Sequence, residues 1–160
     1  MRRLSIPILL LLLGCVTDPG YQSLYVGDGN LQWFIQPVFL QSRGDESVVV
    51  DFTYRRIKGQ ENLIRVNLTW NYKQVPPKSI APEFLLEGSD PVTLSQVEIL
   101  FHERARKAIR FSGLLKESEF LRLLKSPHCQ LALDTGATVV TFASSPAFER
   151  VLQNVAVELQ

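Results

Sequence analysis

Three stretches in which every second residue is apolar constrain this chain more than any other feature. Leu31, Trp33 and Ile35 form one such set, Val48, Val50, Phe52 and Tyr54 a second, and Ile64, Val66, Leu68 and Trp70 a third. A period of two sends successive side chains to opposite faces of an extended backbone, and the β-branched and aromatic residues here suit a pleated, half-buried surface. Ser42-Arg43-Gly44-Asp45-Glu46 and Lys58-Gly59-Gln60 supply turns of hairpin length between them. The expectation is an antiparallel meander with one buried face. Pro37 cannot donate to a ladder, so the first strand is expected to lie at an edge or to carry a bulge there. Asp51, inside the second strand, is expected on its solvent face.

Further along, Pro76-Pro77 and Pro82 bracket a loop, and 84–87 reads as another strand, closed by Gly88-Ser89-Asp90-Pro91. Residues 92–111 carry two signals. Val97, Ile99 and Phe101 alternate as a strand with 108–111 as its return. Ser95 and Glu98 would also make a capping box ahead of a helical stripe through Val97, Leu100, Phe101, Ala105, Ala108 and Ile109. The neighbouring strands favour the hairpin. Residues 116–125 form a helix by pattern: Phe120, Leu123 and Leu124 share a face, and acidic Glu117 and Glu119 precede basic Arg122 and Lys125, as the macrodipole prefers. Pro127 stops it. Cys129, Leu131 and Leu133 then alternate as a strand, with Val140 and Phe142 in its return. Ser145 caps a last helix with Pro146 at its first position, and Phe148, Val151, Leu152, Val155 and Leu159 form its apolar stripe. The fold class expected is α+β: a β-rich antiparallel meander or sandwich, followed by a helix–β-hairpin–helix segment packed against it.

The first 15 residues have a different character. Arg2 and Arg3 precede an apolar run from Leu4 to Leu13, broken by Ser5 and Pro7, and the run ends Leu12-Leu13-Gly14-Cys15. Basic residues, a short apolar stretch and small residues at a cut site make an export signal. About 10 apolar residues are too few to cross roughly 30 Å of hydrocarbon as a helix. Leu12-Leu13-Gly14-Cys15 resembles the lipobox of bacterial lipoproteins. The resemblance implies diacylglycerol on the Cys15 thiol, cleavage before it, and acylation of the new amino terminus, which anchors the protein to a lipid bilayer with no transmembrane helix. In Gram-negative lipoproteins an Asp after the cysteine commonly marks inner-membrane retention. Val16 stands there instead, which points by analogy to the outer membrane, facing the periplasm. The domain reading is 1–14 signal peptide, 15–30 lipidated tether and 31–160 one globular domain. Asp18-Pro19-Gly20 and Gly27-Asp28-Gly29-Asn30 supply the tether's turns, with a little local structure around Tyr21, Leu24, Tyr25 and Val26.

Removing the first 14 of 160 residues leaves 146, a normal size for one domain with a real core. It takes Arg2 and Arg3 from 17 basic residues, leaving 15 against 16 acidic ones. So balanced a charge gives no electrostatic footprint for nucleic acid. With Cys15 acylated, Cys129 has no intramolecular partner, and it reads as a small buried hydrophobe.

Leu131-Ala132-Leu133-Asp134-Thr135-Gly136 resembles the active-site pattern of aspartic peptidases. That resemblance implies Asp134 as one of two aspartates that share a proton and activate a water. No second Asp-Thr/Ser-Gly occurs in the sequence, so such a hydrolase would be a homodimer. The same three residues are also what a tight hairpin turn requires. His102 and His128 stand in no metal-ligand spacing, no Gly-x-Ser-x-Gly elbow occurs, and no cofactor is implied. The cluster Arg104, Arg106, Lys107 and Arg110 is offset by Glu98 and Glu103 and reads as a solvated face. Trp33, Trp70 and Tyr54 would form a binding cleft only if exposed together; strand alternation places them in the core. The expected function is a membrane-anchored envelope lipoprotein with a non-catalytic structural, assembly or ligand-binding role. The alternative is a homodimeric aspartic-peptidase-like hydrolase using Asp134.

Overall fold

The computed structural model describes residues 18–27, 30–44, 46–57, 59–73, 77, 79–126 and 128–159. The signal sequence and Cys15 lie outside these residues, as do the turn positions Asp28, Gly29, Asp45 and Lys58 and the prolines Pro76 and Pro127. The elements are β1 (Tyr21–Tyr25), β2 (Leu31–Gln41), β3 (Ser47–Arg56), β4 (Leu63–Asn71), β5 (Ala81–Leu86), β6 (Val92–Thr93), β7 (Ser95–Glu103), β8 (Ala108–Lys116), α1 (Glu117–Leu124), β9 (Cys129–Asp134), β10 (Val139–Ala143) and α2 (Pro146–Glu158). Antiparallel strands dominate, with two helices, as the α+β expectation holds. The 92–111 region is the hairpin β7–β8, not a helix.

The strands form one sheet in the order β6-β5-β9-β10-β2-β3-β4-β8-β7, with β1 also paired to β2. The two ends of that order are continuous in sequence. β6 passes through Leu94 directly into β7, so the sheet curls into a nearly closed barrel rather than a flat meander. The strand changes partner at this point. The Leu94 N–H donates to Pro82 O of β5 at 3.1 Å, and Ser95 already pairs with Leu114 of β8. A bulge follows, with Gln96 at φ 49°, a left-handed conformation that lets the backbone swerve from one neighbour to the other. At the seam Gly113 leaves room for Leu94: a Cβ there would sit 2.9 Å from Leu94 Cβ and Cδ2. The β9–β10 hairpin, expected to pack on the sheet, is instead part of it, between β5 and β2.

The alternation in β3 and β4 emerges as read: Val48, Val50, Phe52 and Tyr54, and Ile64, Val66, Leu68 and Trp70, are all buried. The expected bulge at Pro37 is a register shift between Ile35 and Val38. Helix α1 forms because its apolar face, Phe120, Leu123 and Leu124, is buried and Glu119 accepts the Lys116 N–H at 3.1 Å. In α2, Ser145 Oγ accepts the Phe148 N–H at 3.2 Å, with Pro146 next in line. Both helices cover the inner face of the sheet. Phe120 and Phe148 meet Phe52 at ring-centre distances of 5.6 and 6.3 Å, and Phe84 stacks on Phe52 at 6.2 Å. β1 lies within the segment read as tether, and its ladder with β2 runs from Tyr21↔Ile35 to Tyr25↔Leu31.

The outer face of β3, β4 and β8 carries a polar ladder. Asp51 does not simply face water. It accepts from Asn67 Nδ2 at 2.6 Å and from Arg110 Nη2 at 3.0 Å, while Arg110 also donates to Thr69 Oγ1 at 2.9 Å. Arg110 is therefore drawn out of the basic cluster into a partly buried ion pair.

At the foot of α1, Glu117 accepts hydrogen bonds from the Tyr54 hydroxyl and from Asn62 Nδ2. The Tyr54 bond, then that of Asn62, hold the Glu117 carboxyl below its ordinary value of 4.5. A lowered folded-state value means that stability is fully present above the unfolded value and is lost as pH falls through the folded one. Glu117→Gln is therefore expected to lower the urea midpoint at neutral pH and to flatten its decline below about pH 4.5. Urea titrations of both proteins across that range check this; parallel acid limbs would refute it.

Candidate functional site

A cleft of about 820 Å³ opens at one end of the barrel, between the β2–β3 turn, the end of β4 and the β9–β10 hairpin. Its aromatic lining comes from Trp70 and Tyr72, packed edge to face at 5.9 Å. Trp70 arrives there because it ends the alternating face of β4, and Tyr72 continues the same parity by two residues. The Tyr72 hydroxyl lies 2.6 Å from His102 Nε2, which fixes the ring from the β7 side. Glu46 clamps this wall to the β2–β3 turn: its carboxylate accepts Trp70 Nε1–H at 3.3 Å and the Lys73 backbone N–H at 2.9 Å. The turn itself is held by Ser42 Oγ, which accepts the N–H groups of Gly44 and Glu46, both at 3.2 Å. Arg43 stands exposed on this rim.

The opposite wall is the Asp134-Thr135-Gly136 turn and the strand after it. Asp134 Oδ1 accepts the Gly136 N–H at 2.8 Å, and Gly136 adopts φ 75°, the left-handed conformation such a turn needs. Thr135 Oγ1 accepts the Thr138 N–H at 3.1 Å, and the Thr135 N–H donates to Thr138 O at 2.9 Å. The aspartate is thus engaged as the bracket of its own hairpin. Asp134→Ala is expected to cost about 1 kcal/mol by loss of one such bond, whereas Asp134→Asn keeps an acceptor in place and stays near the parent. Denaturant curves of the two variants decide; a catalytic aspartate would instead show Asn losing an acid-optimum proteolysis with stability unchanged in both.

The other residues weighed in the sequence are placed elsewhere. Trp33 and Tyr54 stack at 5.2 Å near the other ends of β2 and β3, buried, with the Arg56 guanidinium 5.4 Å from the Trp33 ring centre. Of the three aromatics only Trp70 reaches the cleft. His128 Nδ1 lies 3.1 Å from Glu149 Oε1, and Ser144 Oγ donates to that same oxygen at 2.6 Å. This brings a hydroxyl, a carboxylate and an imidazole together in the wrong order for nucleophilic catalysis. The hydroxyl proton goes to the carboxylate, not to the ring that would have to accept it. The Ser144 bond, then that of His128, hold the Glu149 carboxyl below its usual range. Burial, with Glu149 adding to it, pushes the adjacent Cys129 thiol up to about 12, so it stays protonated and unreactive. Among the described residues no group of three His, Cys, Asp or Glu side chains could hold a metal ion, and no helix is long and apolar enough to cross a membrane.

Sequence reasoning missed Glu46 and Tyr72. Tyr72 could have been found by extending the β4 alternation past Asn71. Glu46 could not, because its role depends on Trp70 and Lys73 arriving from the next hairpin. Compared with known proteins, this chain matches no family model, no curated protein and no solved structure.

Proposed function

We propose that this chain is a lipid-anchored envelope protein whose barrel-like domain binds a small amphipathic ligand without catalysing its conversion. The observation that carries the reading is the cleft. Its volume of about 820 Å³ falls within the range of small-ligand sites, and it combines apolar lining with a few fixed polar groups. Ala137, Val139 and Val140 offer a surface for an apolar body, backed by the buried rings of Trp70 and Tyr72. Arg43 on the rim offers a cation to an acidic end. The groups that shape the walls, Glu46, Ser42, Asp134 and Thr135, are occupied by structural hydrogen bonds, which leaves them to position the site rather than to react. The anchor rests on the Leu12-Leu13-Gly14-Cys15 motif: two or more acyl chains hold a protein stably on a bilayer, where one alone is marginal.

Anilinonaphthalene sulfonate, an apolar body with one anionic group, is a suitable probe. Saturable 1:1 binding by the folded protein is expected. Ala137→Trp, which places an indole on the cleft wall, should weaken it about tenfold, equivalent to about 1.4 kcal/mol. Unsaturable binding, or binding indifferent to that substitution, would overturn the ligand-binding reading. The anchor is checked separately by palmitate labelling, which Cys15→Ser should abolish.

A further inference from the structure

We infer that the recess between the middle of β2 and the start of α2 is the face that lies against the bilayer, with Phe39 entering the lipid interface; this rests on the proposed acylation of Cys15. Along β2 one edge is shared: β1 covers it up to Ile35, and β10 touches it again only at Gln41. Between those two contacts, a recess of about 580 Å³ is lined by Pro37, Val38, Phe39, Ala143, Pro146 and Ala147, together with Gln41, Ser144 and Ser145. Among the described residues no charged side chain lines it. Phe39 is 63% exposed, unusual for an aromatic in mid-strand, and Pro37, Ala143, Pro146 and Ala147 are exposed as well.

The position of the chain's entry into the fold selects the occupant. Asp18 is fixed beside β2: its carboxylate accepts Gln36 Nε2–H at 2.9 Å and the Gly20 N–H at 2.9 Å, and Asn154 of α2 donates to Pro19 O at 2.9 Å. Cys15 is three residue steps from Asp18, and a chain of that length reaches at most about 11 Å. Gln36 and Phe39 are likewise three steps apart, about 10 Å along a strand. An acylated Cys15 must lie at the bilayer surface, so whatever surrounds Asp18 is held within one headgroup layer of it. What surrounds Asp18 on the side of rising β2 numbering is this uncharged, apolar recess. A bilayer interface accepts such a surface by burying it about 5–10 Å deep.

The test uses the full lipidated protein reconstituted into vesicles of phosphatidylethanolamine and phosphatidylglycerol, with or without brominated acyl chains, which quench nearby indoles. The native Trp33 and Trp70 are buried and give the baseline. Phe39→Trp and Ala147→Trp report on the recess, Tyr25→Trp on the exposed tip of the β1–β2 hairpin, and Phe101→Trp on the distant β7. The added emission of Phe39→Trp and Ala147→Trp should fall by about half in brominated vesicles, as expected for a shallow interfacial site, while Phe101→Trp and the parent stay unchanged. Vesicle-bound protein with both recess indoles unquenched, or with quenching at Tyr25→Trp alone, overturns this inference and leaves the anchor intact. Protein that fails to float with the vesicles overturns the anchor and this inference with it.

Discussion

Phe52→Ala is expected to destabilise the domain by about 3–5 kcal/mol, the range for removing a buried aromatic. The expectation rests on position as much as on size. Phe52 is almost fully buried and lies within 6.3 Å, ring centre to ring centre, of Phe84, Phe120 and Phe148. Those three come from β5, α1 and α2, so a single side chain of β3 ties the far side of the barrel and both helices together. Truncation leaves a cavity bounded by rings that are themselves packed, and relaxation can fill little of it. A domain of this size has only about 5–15 kcal/mol in total, so the variant should unfold at much lower urea or be partly unfolded without it. Phe52→Leu, which keeps most of the volume, should lose much less. A cost below about 1 kcal/mol for the alanine variant would mean that the cluster does not act as a unit.

Gly113→Val has the second large effect, and here the sign is the test. Valine outranks glycine in strands by up to about 1 kcal/mol, so propensity alone makes this substitution stabilising. The packing says the reverse. The first added carbon would meet Leu94 Cβ and Cδ2 at 2.9 Å, well inside van der Waals contact, and at the place where the strand transfers from β5 to β8. Overpacking of this kind costs about 1–3 kcal/mol. Leu94→Ala in the same chain should recover part of that loss, giving a favourable coupling in a double-mutant cycle. Strict additivity of the two substitutions, or a stabilised Gly113→Val, would show that β8 and the β6–β7 junction are not in contact.

The strands were legible wherever one face is buried and the other wet. β3 and β4 show it most clearly, because every second side chain enters one continuous core. The terminal helices were legible for a similar reason: their caps and stripes are local. Closure was not legible. Nothing in 92–103 announces that the segment pairs with β5 for two residues and then with β8, since a partner switch is decided by the sheet around it. Nor did the sequence suggest that β9–β10 would fill the gap between β5 and β2. Polar groups followed the same division. Asp134 and Gly136 interact across two residues, and the turn could be read directly. Asp51 finds Arg110, and Tyr54 finds Glu117, only through strand register over 59 and 63 residues. The cleft is least legible of all, because its walls come from three separate connections of the barrel.

One detail of the sheet bears on how the chain reaches this state. β2 and β10 meet through a single residue pair, Gln41 with Ala143, while the adjoining pairs β2–β3 and β9–β10 zip over most of their length. The join therefore draws its strength from neighbours already in place, and it links positions about a hundred residues apart, a costly loop to close early. The β2–β3–β4 meander can form from local contacts as soon as its residues are available. The ring can be completed only when nearly the whole chain is present. Folding is thus sequenced by geometry, with closure as a late event and this join as the natural place for the finished domain to breathe.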